Sequence, residues 1–160
     1  MNLNQFAMSV VKGMVDLLNG GGRSISAMVD VTSALGVDGG VGLIPGQPVK
    51  LVPSNIRGVP KVIECATDAD DIYGFVVYNP KDSKYLCGDR LEILPMKGGI
   101  MYMEANAAIA QGAEVAVLIA GVKVITATAT DRIIGRAFDG ASAAGKIIRV
   151  TVDLPGAIKA

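Results

Sequence analysis

The sequence contains no histidine and no tryptophan. Without histidine there is no imidazole ligand for zinc, no Ser-His or Cys-His pair, and no side chain that ordinarily titrates near neutral pH. Only 4% of the residues are aromatic, and 15 basic residues balance 15 acidic ones. Proteins that hold nucleic acid rely on basic residues at the phosphates and on aromatic rings that stack on bases. The composition therefore disfavours most hydrolases and predicts no direct contact with nucleic acid.

Long apolar runs are also missing. Stretches such as 115–122 are far shorter than the roughly 18 residues that a membrane-spanning helix requires. The first residues show neither a positive segment nor a cleavage site of small residues, as a secretory signal would. We therefore expect synthesis in the cytoplasm, with Cys65 and Cys87 as reduced, partly buried thiols.

Glycine and apolar side chains, by contrast, are abundant. The chain has 20 glycines and seven prolines, and 51% of its 160 residues are hydrophobic. This length is that of one domain, or of a domain with an arm, and it can bury a core without metals or disulfides. A near-zero net charge combined with so much apolar surface is unfavourable for a free monomer, which favours a subunit of an assembly.

The first twenty residues differ from the rest. Apolar residues recur there at helical spacing, and three consecutive glycines follow at 20–22, which predicts an amphipathic N-terminal helix. Residues 1–42 are interpreted as this helix with an extended arm and linker, and residues 43–160 as a β-barrel domain. The predicted partner contacts are the apolar side of the helix, through Phe6, Val10, Met14 and Leu17, and the linker that follows it.

From residue 43 onward one pattern recurs, in which a glycine precedes an alternating apolar strand. A second pattern is an apolar strand that a glycine interrupts, as in a bulge or a close backbone crossing. The predicted structural glycines are Gly46, Gly88, Gly112 and Gly145 in turns, and Gly74 and Gly135 within strands. The order of the patterns indicates a loose internal duplication of residues 43–94 and 109–152. Two copies of short strands with glycine turns predict a mainly β protein, a compact barrel or sandwich. Short helical turns at 106–111 and 139–144 are the remaining helical candidates.

Candidate chemical groups do not assemble into a site. Asp68, Asp70 and Asp71 are spaced like cation ligands, but they lack the glutamate that completes a calcium loop, which favours an acidic turn. The glycine-rich segments lack the lysine and the helix of a phosphate loop. Cys87, near Arg90, is the thiol to test for reactivity. The sequence predicts no catalytic, cofactor-binding or metal-binding residues, and no enzyme.

Several segments resemble a known family. They are PGQPVKLV from Pro45, IYGFVVYN from Ile72, the stretch from Gly88 through EANAAIAQG to Val117, and RIIGRAFDGASAAGKIIRVTVDLPG from Arg132. They are similar to the small phage head decoration, or capsid cement, proteins that are often mislabelled as phage recombinases. The resemblance spans about 110 residues, from about Pro45 to Leu154. The residues ahead of Pro45 and the long polar loop 79–87 depart from the family pattern.

This resemblance implies a β-tulip-like barrel and a structural role in the virion. Family members bind the exterior of the assembled capsid, clamp adjacent major capsid subunits and stabilise the head against the pressure of packaged DNA. The partners implied are the major capsid protein and further copies of the chain, as a homotrimer or a dimer. Two alternatives remain open, namely another virion component of the tail, baseplate or shell, and a module that binds surface glycans.

Overall fold

The computed structural model describes residues 10–16, 22–53, 58–153 and 157–159. In these residues the secondary structure is entirely β, which confirms the mainly β prediction. The eleven strands are β1 (Ile25–Val29), β2 (Pro48–Leu51), β3 (Lys61–Glu64), β4 (Gly74–Val76), β5 (Arg90–Pro95), β6 (Ile100–Glu104), β7 (Glu114–Leu118), β8 (Lys123–Thr126), β9 (Arg132–Arg136), β10 (Ile147–Thr151) and β11 (Ala157–Ile158).

The first five strands form a closed barrel in the order β1-β3-β2-β4-β5. The β1–β3 pair is parallel and the other four pairs are antiparallel. Alternate residues of the strands point inward, as apolar alternation along a half-buried strand requires. The barrel core consists of Ala27, Val29, Leu43, Val49, Val62, Val76, Tyr85, Leu91 and Ile93.

The strands β6 to β10 repeat this pairing scheme. The β6–β10, β7–β8 and β7–β9 ladders are antiparallel, as are β1–β5, β2–β3 and β2–β4 in the first barrel. The two remaining pairs are reduced to single bridges, a parallel one between Ala105 and Val124 and an antiparallel one between Ala137 and Val150. The second half therefore closes with the same order of strands as the first, although single bridges replace full ladders at two of its five pairs. Strand β11 pairs with β9.

The core of the second barrel extends into the first. Phe75 and Leu94, from β4 and β5, are fully buried in the same cluster as Met101, Ile134 and Val150. Because these apolar residues of both barrels are removed from water together, separating the barrels would expose them and would be unfavourable. The two barrels form one packed unit.

The predicted N-terminal helix is wrong for residues 10–16. Gly13 has a φ of +85°, which interrupts a right-handed helix. The amides of Gly13 and Asp16 donate to the carbonyls of Tyr102 and Ile100, at 2.7 and 2.8 Å, rather than to their own chain four residues back. The segment runs beside β6 as a short antiparallel strap. The rest of the predicted helix, 1–9 and 17–19, lies outside the described residues.

Two further segments considered as helical turns are also not helical. Residues 106–111 and 139–144 instead contain Ile109 and Ala141, which bridge each other and exchange two backbone hydrogen bonds. Strand β1 lies ahead of residue 43, in the stretch interpreted as arm and linker, and pairs with both β3 and β5. The alternation of apolar and polar residues in this segment is weak. It forms a barrel strand because β3 and β5 supply hydrogen-bond partners for its backbone amides and carbonyls.

Candidate interaction surface

Two of the predicted contact residues, Val10 and Met14, lie on the strap. Val10 is 43% exposed, whereas Met14 is half-buried and its sulfur accepts a hydrogen bond from the Val11 amide at 3.2 Å. Phe6 and Leu17 lie outside the described residues. Within the described part of this set, only Val10 presents a large apolar surface to solvent.

Arg149 of β10 fastens the strap to the second barrel. Its Nη1 lies 3.3 Å from the carboxylate of Asp16, which is 5% exposed, while its Nε and Nη2 each donate to Asp139 at 2.7 Å. The guanidinium also lies 4.4 Å from the centre of the Phe138 ring, a cation–π distance. The hydrogen bonds from Arg149 lower the pKa of Asp139 and raise that of Arg149. This ion cluster fixes the strap in position.

The strap also contacts the first barrel. The Tyr78 amide, just after β4, donates to the Gly13 carbonyl at 2.8 Å. Gly13 lies so close to Pro45 that a Cβ at this position would come within 2.6 Å of the Pro45 Cβ. The neighbouring Lys12 is half-buried, and the resulting desolvation of its ammonium group lowers its pKa. The strap therefore spans both barrels, and its start lies near the beginning of β2.

We call residues 31–42, which form the first part of the connection between β1 and β2, the valine loop. A carboxylate from β3 holds its first part. Glu64 is 8% exposed and accepts hydrogen bonds from the Ser33 hydroxyl at 2.5 Å, the Ala34 amide at 2.8 Å and the Leu35 amide at 3.3 Å. A buried hydrogen-bond donor without an acceptor destabilises the folded state. Because Glu64 accepts from three donors of the loop, it stabilises the loop in this one conformation.

The loop carries three exposed apolar side chains. Val31 is 73% exposed, Val41 is 69% and Val37 is 47%. Ile44, two residues beyond the loop, is 37% exposed, and its amide donates to the buried side chain of Gln47 at 3.1 Å. Single exposed apolar residues are ordinary on protein surfaces, but three in one ordered loop make this loop a candidate contact surface.

The acidic segment 68–71 forms hydrogen bonds within its own turn and ion pairs with basic residues of two strands. Asp70 accepts from the Ala66 and Thr67 amides and from Lys50, whose Nζ lies 2.6 Å away. The hydrogen bond from Lys50 is the main reason that the pKa of Asp70 is lowered. Asp71 forms an ion pair with Arg132 of β9. Each of these two carboxylates thus lies against a basic side chain.

The two cysteines differ in their surroundings. Cys65 is buried, and this burial raises the pKa of its thiol to about 12. Cys87 is half-buried, and its sulfur lies 3.8 Å from the Ser33 carbonyl. Burial of this kind makes Cys65 a packed apolar residue rather than a nucleophile.

The described part of the chain has open grooves on its surface, and its acidic side chains do not gather into a metal site. An open groove of about 340 Å³ lies outside β1 and β5, with Ser24, Ser26, Arg90 and Glu92 among its lining residues. Across residues 10–16, 22–53, 58–153 and 157–159, no three His, Cys, Asp or Glu side chains meet as metal ligands. Over the same ranges, no helix has the length and hydropathy needed to cross a membrane.

The comparisons with known proteins decide the family. The model of the structural cement protein family (E217 gp24/Pam3 gp6) matches residues 11–153, which include the strap and both barrels. The chain belongs to this phage cement family. It is thus a virion structural protein, as the resemblance of the sequence implied. No curated protein matches this cement protein.

Among solved structures, it is similar to the N base of the head fiber gp8.5 in bacteriophage phi29. The TM-score is 0.46 at 11% identity, over 86% of this chain and 98% of that one.

Sequence reasoning placed the linker, which contains the valine loop, among the contact elements, but it missed Glu64 as the residue that holds this loop. Glu64 next to Cys65 carried no recognisable chemistry, and its partners lie about 30 residues away in the chain. A charged residue at the end of an apolar strand is a weak signal, because most such residues are solvated. Only the closure of the barrel places Glu64 beneath the loop.

Proposed function

We propose that this protein binds the outer surface of the assembled phage head and clamps adjacent major capsid subunits. The observation that carries the proposal is the match to the cement family over residues 11–153, which includes every barrel strand from β1 to β10. The proposed partners are the major capsid protein and further copies of this chain, as a homotrimer or a dimer.

The construction of the molecule supports such a role. The shared core of the two barrels and the strap that spans them form a rigid body, so little conformational entropy is lost on binding. A subunit that contacts several capsid proteins at once gains from multivalency, even where each contact is weak. Separating capsomers would then require breaking these added contacts, which raises the free-energy cost of rupture under DNA pressure.

The test uses purified protein and assembled heads that lack it. We expect saturable co-sedimentation, with a stoichiometry that follows the symmetry of the shell, and heads that release DNA at a higher temperature once decorated. Light scattering of the free protein should report a trimer or a dimer. Failure to bind heads, or binding that leaves the release temperature unchanged, would contradict the proposal.

A further inference from the structure

The connection between β1 and β2 is framed by two fixed backbone contacts. At its start, the Asp30 amide donates to the Val62 carbonyl at 2.9 Å. At its end, Leu43 and Tyr85 exchange two backbone hydrogen bonds of 2.8 and 2.9 Å. The twelve residues between these contacts, 31–42, are the valine loop.

The second barrel makes the same connection between the same two contacts. The Asn106 amide donates to the Val124 carbonyl at 2.9 Å, and Ile109 and Ala141 exchange two hydrogen bonds. Only residues 107–108 lie between them. Two residues between these contacts are therefore enough to close a barrel of this kind. The first barrel has twelve residues between the same contacts, ten more than the second.

These additional residues are held firmly, although long insertions at a surface are usually tolerated as flexible chain. Besides the three bonds to Glu64, the Gly36 carbonyl accepts from the Cys87 amide at 2.7 Å, and the Gly42 amide donates to the Leu35 carbonyl at 2.9 Å. Thr32 donates from its amide and its hydroxyl to Asp30, at 3.0 and 2.7 Å. The second barrel has Thr126 where the first has Glu64, at the end of the equivalent strand.

Each exposed valine stands beside one of these fixed points. Val31 lies between Asp30 and Thr32, Val37 follows Gly36, and Val41 precedes Gly42. A fixed loop that displays apolar side chains binds without losing further backbone entropy, because its conformation is already specified in the free protein. The hydrogen bonds that fix the loop therefore also fix the positions from which the three valines are exposed.

We propose that the valine loop docks on an apolar, uncharged patch of the major capsid subunit. This inference rests on the proposed function and assigns it a surface. Asp38 is the only ionisable residue in the loop, so a weakly charged patch is the complementary surface. The loop contains neither the aromatic nor the basic residues that hold a protein at a lipid surface.

The strap extends this surface. Gly13 packs against Pro45 and Gly46, three and four residues beyond the end of the loop, and the exposed Val10 is three residues from Gly13 along the chain. Three residues span at most about 11 Å. Val10, from the segment that the sequence indicated as a contact, therefore lies within about 11 Å of Gly13, which contacts Pro45, the residue after Ile44.

The experiment compares the intact protein with the triple variant Val31→Ser, Val37→Ser, Val41→Ser. The control replaces an exposed apolar residue outside the loop and the strap, Leu51→Ser, which is 46% exposed. A second variant replaces residues 31–42 by the dipeptide Ala-Ala found at 107–108. Binding to assembled heads is measured by co-sedimentation at low and high salt, and self-association by sedimentation velocity.

We expect the triple variant to bind heads about 100-fold more weakly, since three apolar contacts are lost. The control should bind like the intact protein, and the intact protein should show little dependence on salt. The shortened variant should lose binding as the triple variant does.

Four outcomes would overturn the inference. Equal binding by the triple variant would remove the loop from the contact while leaving the proposed function standing. Failure of the intact protein itself to bind heads would defeat the proposed function first. Loss of self-association with unchanged binding of heads per copy would assign the loop to a second copy of the chain. Binding of the intact protein, but not of the triple variant, to neutral phosphatidylcholine vesicles would assign it to lipid.

Discussion

Gly74 and Gly135 are equivalent residues of the two barrels, and each lies directly against a carbonyl oxygen of the neighbouring strand. A Cβ on Gly74 would come 2.5 Å from the Leu94 oxygen, and one on Gly135 would overlap the oxygen of Thr151. Gly74 pairs with Val49 in β2, and Gly135 pairs with Val115 in β7. The glycines allow the close crossing of strands that closes each barrel.

Alanine at either position should therefore destabilise the fold, because backbone rather than a movable side chain would have to shift. We expect losses of about 1–3 kcal/mol for Gly74→Ala and at least as much for Gly135→Ala, as for other overpacked sites. Urea denaturation measures the difference. Gly140→Ala is the control, since its nearest atom is the Ile109 oxygen at 3.3 Å. Equal stabilities for all three variants would contradict the close-crossing argument.

The carboxylate of Glu64 should determine how firmly the valine loop is held. Glu64→Ala removes the acceptor of three hydrogen bonds, and each donor left without a partner costs about 1–3 kcal/mol, less where water can enter. Glu64→Gln keeps one acceptor and should be milder. We expect faster amide exchange at Ala34 and Leu35, measured by hydrogen exchange.

The control for this change is Glu104→Ala, which removes an ion pair with Lys123 at 2.9 Å on the surface of the second barrel. Partly exposed pairs of this kind contribute about 0.2–1 kcal/mol. If Glu64→Ala were no more destabilising than Glu104→Ala, the valine loop would not depend on its buried carboxylate.

The Asp139–Arg149 pair should make stability depend on pH. Because the pKa of Asp139 is lower in the folded than in the unfolded protein, its stabilisation is fully present above the unfolded value of about 4. It is lost as the pH falls through the lowered folded value. Asp139→Asn should cost about 0.5–1 kcal/mol near neutral pH, because Asp139 is partly exposed.

This difference between the variant and the intact protein should vanish in acid, where Asp139 of the intact protein is protonated as well. Urea denaturation at neutral pH and at successively lower pH values beneath the unfolded pKa of Asp139 tests it. Asp38→Asn, an exposed residue of the valine loop, controls for removal of one negative charge. A cost that is the same at all of these pH values would indicate lost packing rather than a lost ion pair.

The Cys65 thiol should report unfolding. Burial raises its pKa to about 12, so at mildly alkaline pH almost no thiolate is present in the folded protein. We expect iodoacetamide to leave Cys65 unmodified until the protein unfolds, as peptide mass spectrometry would show. The half-buried Cys87 serves as the internal comparison. Rapid modification of Cys65 in the native protein would contradict its burial.

Much of the β architecture could be predicted from local features of the sequence. Gly46, Gly88, Gly112 and Gly145 have φ between +79° and +88°, a conformation that other residues adopt only with strain, so a glycine before an alternating strand is a reliable local signal. The match between turn chemistry and strand alternation predicted where β2, β5, β7 and β10 begin. The family resemblance depended on these same segments.

The strap shows where local information was insufficient. Apolar residues at helical spacing favoured a helix through residues 10–16, but helical spacing reports only which positions are apolar. The edge of β6 offers this segment backbone partners in Tyr102 and Ile100, and Gly13 adopts a conformation that a helix excludes. A tertiary partner thus overrode a local propensity that was weak from the outset.

What the sequence by itself determined is the mainly β class, the positions of the turns and the order of the repeated strands, because these depend on residues a few positions apart. Only the tertiary structure decided how β1 joins β3 and β5, and that Glu64 meets Ser33 from 31 residues away. It likewise decided that twelve ordered residues replace a connection of two. Contacts between distant residues depend on how each barrel closes, and closure is a property of all its strands together.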